Sequence, residues 1–229
     1  MNPTGPADNR SIPIGELRKA ISEPRFATYL AECAGDEDAA WALYEWNIDA
    51  TAALLLPLHA LEVTLRNRLY DAGARNYGAN WLTTTATNLR RSELAHVAGA
   101  RDYLVRRGAA VTPGALVAEL SLGFWVGLLA NHYDQTLWRQ SLYRAFGSGA
   151  RRTALHESLD RLRTLRNRVA HHEHLLRRNL TEDVNRIEFV LALLSPAVEQ
   201  WVRERSTARA VINVRNGVQS HSLPPDNVR

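Results

Sequence analysis

Arg166 and His171 lie five residues apart near the end of one helical stretch. Their types and spacing suit chemistry at a phosphate. On an α-helix five residues turn through roughly 140° and rise by less than two turns. A long guanidinium can lean across that gap, and a local break near the helix end would help, so that both groups address one phosphate. RNA cleavage is the reaction this pairing fits. A ribose 2′-hydroxyl attacks the neighbouring phosphate when a base takes its proton and an acid protonates the departing oxygen. Histidine titrates near neutrality and does either job. An arginine stabilises the charge that grows on the phosphate oxygens. The scheme needs no metal. One histidine per chain falls short of two proton transfers, so a symmetric dimer that brings two copies of the helix together is chemically attractive. The plainer alternatives are a capping histidine at a helix end and a solvated or salt-bridged arginine.

The surrounding charge is local. Of 229 residues, 45% are hydrophobic and 23% charged, and the net charge is only +4. Those values exclude a mostly disordered chain and allow a substantial core. Residues 151–178 hold eight arginines against Glu157, Asp160 and Glu173, together with His156, His171, His172 and His174. The rest of the chain is near neutral. Lys19 is the only lysine. Genome composition explains that shortage, and a solvated helix explains clustered arginines; it explains the added histidines less well. The lone Cys33 gives no disulfide scaffold. No signal-peptide pattern opens the chain, and no stretch reaches the roughly 20 apolar residues that span a bilayer. A cytoplasmic protein without membrane association is expected.

Helices must position these groups. Apolar residues recur at three-and-four spacing along most of the chain, and no segment shows β alternation. The expected fold is all-α, with seven or eight helices over residues 14–205. A loose arm covers 1–13 and a flexible tail 206–229. Helices are expected over about 24–33, 37–73 with a break or kink at Pro57, 88–107, 113–130, 132–146 and 151–174. Thr181 should open a last helix that Pro196 kinks. Residues 76–87 read as a loop carrying Trp81, which could stack a base.

Leu165-Arg166-Asn167-Arg168-Val169-Ala170-His171-His172 resembles the RNxxAHH form of the R-x4-6-H motif of HEPN ribonucleases. It looks most like the Abi-like (abortive-infection, AbiD/AbiF-type) family. Glu62-Val63-Thr64-Leu65-Arg66-Asn67 is similar to that family's early E-x-x-x-R-N helix, and Ser121-Leu122-Gly123-Phe124-Trp125 to its apolar helix before the motif. Ile21–Leu30 also fits. The likeness covers about residues 20–200. It implies a HEPN-type helical bundle with additional N-terminal helices and metal-independent endoribonuclease activity with no cofactor. It further implies homodimerisation around one cleft and a role in phage defence or as a toxin, with an RNA or protein antitoxin as a further partner. Carried over by position, Arg166 and His171 are the catalytic pair and Asn167 orients the motif by hydrogen bonding. Glu173-His174-Leu175 departs from the family pattern after AHH, which touches the outer part of the site.

Other residues keep two readings. His172 assists the site or only shapes the helix terminus. Glu62, Arg66 and Asn67 approach the site from another helix, or Glu62 and Arg66 form an ion pair four residues apart. Thr164–Arg168 repeats the pattern of Thr64–Arg68, but Asp71 stands where the second histidine would be. Leu176 breaks any HExxH zinc pattern after His172 and Glu173. The competing function is a non-catalytic helical module that binds RNA or a partner through the same basic cleft.

Overall fold

The computed structural model describes residues 12–221, and among them every regular element is helical. The all-α expectation therefore holds. The expected arm over 1–13 and the last residues of the expected tail, 222–229, lie largely or wholly outside the described residues. The chain divides into two compact units, Met1–Ala52 and Ala53–Arg229.

The first unit holds α1 (Ile14–Ile21), α2 (Glu23–Glu32) and the start of α3 (Glu37–Tyr77). Ser22, at φ 80°, separates the first two helices, and Pro24 sits in the first turn of α2, where its missing N–H costs nothing. Phe26, Tyr29 and Trp41 are buried. Their rings meet with Tyr44 at centroid distances of 5.2 to 6.0 Å. The Arg18 guanidinium lies over Phe26 and pairs with Glu23 and Glu37.

In the second unit α3 buries Leu54, Leu58, Leu61, Leu65, Leu69 and Ala72. That three-and-four stripe marks the face turned to the core. Pro57 lies inside α3, which runs on past it to Tyr77, so of the break or kink expected there the break does not occur. One 18-residue window of α3 has a mean hydropathy of 1.4. By length and composition this helix can cross a membrane, which the apolar runs of the sequence alone did not suggest; its leucines are also what the core needs.

Trp81 follows in a loop and is fully buried. Its Nε1–H donates to the Tyr70 carbonyl at 3.1 Å, and its ring stacks on Tyr70 and meets the edge of Trp125. It is a core residue, which removes base stacking as a role. Next come α4 (Arg91–Arg106), α5 (Pro113–Glu119) and α6 (Leu122–Gly127). The expected single helix over 113–130 is broken in two. Leu120 is extended, and Ser121 caps α6 by accepting from the Phe124 amide. A serine that bonds the backbone locally favours a helix start over a helix interior.

Residues 131–145 form short 3-10 and π-helical turns rather than the helix expected there. Polar side chains hold these turns. Arg152 donates to Asp134, to Asn131 and to the Leu129 carbonyl, while buried Ser141 donates to the Ala72 carbonyl.

α7 (Arg152–Ala170) turns Leu155, Leu159, Leu162, Leu165 and Val169 inward and packs on α6 and on α8 (Leu180–Leu194). Asn179, not Thr181, caps α8 by accepting from the Glu182 amide at 3.0 Å. Pro196 opens a new helix, α9 (Pro196–Arg205), after extended Ser195, instead of kinking the old one. The expected tail is a helix over Ala208–His221, α10, packed on α8. Ala208 and Ile212 are buried, and Arg209 donates to Glu188 and Asn185 of α8.

Candidate functional site

The leucines of α7 point inward, so the polar positions between them face outward, and Arg166 and Asn167 are among these. Glu62 belongs to α3, one position after the buried Leu61. Across the gap between the two helices, Arg166 donates Nε–H to one oxygen of the Glu62 carboxylate at 3.1 Å and Nη2–H to the other at 3.4 Å. Both carboxylate oxygens are engaged, which is the geometry that orients a planar guanidinium. The Arg166 side chain keeps 38% of its surface exposed and Glu62 17%. The guanidinium is thus anchored along one edge, and the side chain stays partly exposed.

Arg166 and Asn167 form one wall of a groove of about 360 Å³, with Arg163 on the same helix. The rest of the lining comes from His96 of α4, Ser121 and the start of α6. Arg163 is held by Asp160 at 2.8 Å. Gly123 also lines the groove, and a Cβ there would make ordinary contact with Cδ of Arg163 at 3.5 Å. The His96 ring meets buried Phe124 edge-to-face, with centroids 6.3 Å apart.

α7 ends where the sequence reading wanted a break. The His171 amide donates to the Asn167 carbonyl, the His172 amide to Val169 at 3.3 Å, and the Glu173 amide to Arg168 at 2.8 Å. These bonds make a Schellman turn, which needs a left-handed residue after the helix cap. His172 supplies it at φ 55°, a conformation that favours glycine. His171 is the cap residue and is exposed. Arg168 donates to the His174 carbonyl and pairs with Glu173, so Glu173 and His174 are tied into the turn.

The structure therefore brings Glu62, Arg166 and Asn167 together. Glu62 does not pair with Arg66, which was the plainer alternative. Arg66 donates instead to the Ala118 carbonyl at 3.4 Å, its Nε buried without a partner. Asn67 is exposed. His171 and His172 stand at the helix end, outside the groove lining. His96 and Arg163 were not singled out by sequence reasoning. A lone histidine carries no motif, and only the apposition of α4 with α7 reveals it. Among the described residues, no group of three His, Cys, Asp or Glu is placed to hold a metal ion.

No protein-family model, curated protein or solved structure matches the chain.

Proposed function

We propose that the chain is a HEPN-type endoribonuclease of the Abi-like kind, cleaving RNA without a metal in phage defence or as a toxin. The carrying observation is the Arg166–Glu62 pair, which fixes a half-exposed guanidinium on the wall of a groove beside Asn167. In this reading Arg166 binds the scissile phosphate and stabilises the charge that develops on it. His171, exposed at the end of the same helix, moves the proton of the 2′-hydroxyl or of the departing oxygen. A second copy of the chain supplies the other imidazole. The all-α fold is then a HEPN bundle, and the protein works as a homodimer in the cytoplasm, restrained by an RNA or protein antitoxin.

The test is cleavage of RNA by purified protein in EDTA, beside Arg166→Ala and His171→Ala. The wild type is expected to release fragments ending in 2′,3′-cyclic phosphate. Each variant should lose at least about a hundredfold in rate, the usual weight of a general acid–base group or a charge-stabilising donor. Equal cleavage by the variants, or none by the wild type, overturns the nuclease reading. A second reading rests on His171 lying outside the groove lining: a helical module that binds RNA or a partner without cutting. Tight RNA binding without fragments, lost in Arg166→Ala, would establish it.

A further inference from the structure

A second recess of about 340 Å³ adjoins the first. The two share His96 and Ser121. The second is walled by the α4 face that carries His96, Gly99, Ala100 and Tyr103, positions spaced three, four and seven apart and so aligned on one side of the helix. Its charge is opposite to that of the first. Arg163 and Arg166 are the charged groups lining the first recess, whereas Glu119 is the one lining the second. Arg107 reaches Glu119 only at 3.8 Å, from the rim, where it also covers the Tyr103 ring.

We propose that the joined recesses seat two successive nucleotides of single-stranded RNA, with His96 at the phosphate between them. This deepens the nuclease reading and rests on it for the choice of RNA. The argument is charge sorting at a fixed distance. A phosphodiester belongs beside Arg163, Arg166 and Asn167, whose N–H groups match its oxygens. It does not belong beside Glu119. A base belongs there, because a carboxylate accepts from ring and amino N–H groups, and guanine offers two such donors side by side. Each recess falls in the range of volumes that hold small ligands, and their shared wall puts His96 between the two occupants. The His96 ring has one contact with Phe124 and is otherwise exposed. An imidazole so placed donates to the phosphate.

The ligands for the test are dinucleoside monophosphates carrying a 2′-deoxy sugar at the attacking position, GpG and UpU, which cannot be cleaved. Binding is read by titration calorimetry and by the imidazole proton signals in NMR. GpG is expected to bind more tightly than UpU and to shift the His96 signals. His96→Ala, Arg163→Ala and Gly123→Leu, which fills the first recess without removing a polar group, should each weaken binding about tenfold or more. Glu119→Gln should erase the preference for GpG, and Arg144→Ala, which lines neither recess, should change nothing. His96→Phe keeps a ring but no N–H: lost affinity supports donation to the phosphate, and retained affinity overturns that placement of His96. His96 is exposed, so its variants fold, which unchanged melting curves would verify. Binding that ignores His96 and Arg163, or equal affinity for the two ligands in wild type, overturns the proposal. Ligand binding does not depend on cleavage. A protein that seats GpG but never cuts RNA retains this site and loses the nuclease reading, whereas one that cuts RNA with His96→Ala at full affinity and rate does the reverse.

Discussion

At Arg166 the consequence of a salt bridge is direction rather than stability. The pair with Glu62 is partly exposed, and such pairs contribute about 1 kcal/mol or less. Engaging Nε and Nη2 leaves the other N–H groups of the fork for a ligand. The sequence named Glu62 as a candidate but could not choose its partner, because Arg66 is near in sequence while Arg166 is near only once α3 and α7 pack. His172 shows a different tension. At φ 55° a residue with a Cβ is strained by roughly 1–2 kcal/mol. His172→Gly removes that strain and loses part of the gain to a freer unfolded chain. A net stabilisation of up to about 1 kcal/mol is expected, read as a higher urea midpoint at unchanged slope. A lower midpoint would mean that contacts of the imidazole outweigh the strain. Lower cleavage in the stabilised variant would show that the histidine serves the site and not the turn.

Among the elements, α3 and α7 were legible because their leucines repeat at helical spacing over many turns. The breaks at Ser121 and Pro196 were not, since apolar residues continue on both sides while local capping decides. Residues 131–145 failed for a related reason: Asp134, Arg152 and Ser141 spend their hydrogen bonds on neighbouring backbone and side chains, which no periodicity records. The close approach of α3 to the Trp81 loop depends on one missing methyl. A Cβ on Gly73 would lie 2.4 Å from Cε2 of Trp81, whose ring is walled in by Tyr70 and Trp125. Alanine would help the helix by about 1 kcal/mol but overpack the core by about 1–3 kcal/mol. Gly73→Ala should therefore lower the melting temperature, whereas an exposed control, Gly99→Ala, should raise or preserve it. The Asp134 turn gives a pH signature. Its carboxyl titrates below the ordinary range, chiefly because Arg152 donates to it and then because Arg139 does, against the opposing effect of burial. A depressed carboxyl stabilises the fold above its unfolded pKa, about 4, and that contribution fades as pH falls through the lower folded value. Asp134→Asn should cost stability at pH 7 and progressively less below pH of about 4, measured by urea unfolding across that range. A cost that stays constant with pH would remove the ion pair as its source.

For the whole molecule, the all-α class followed from periodicity, because apolar residues recur at helical spacing in most segments. The end of the chain was misread for want of long-range information. Residues 208–221 carry no sustained apolar repeat, yet Ala208 and Ile212 are buried and α10 packs on α8. Assembly is the property on which the proposed chemistry depends most. Arg166 and Asn167 line the groove while His171 stands outside it, so one chain presents its guanidinium and its imidazole in different places. A second copy facing the first would let the two exposed ends of α7 share one phosphate. Activity per chain should then rise with protein concentration and level off as the dimer saturates, with light scattering reporting a doubled mass over the same range. Excess Arg166→Ala chain, added to a trace of wild type, should capture it in mixed dimers and depress its rate. A monomer with constant specific activity, or a wild-type rate untouched by the excess variant, would mean that each chain completes its own site. In that case His96, which already lines the groove with Arg166, becomes the imidazole to test first.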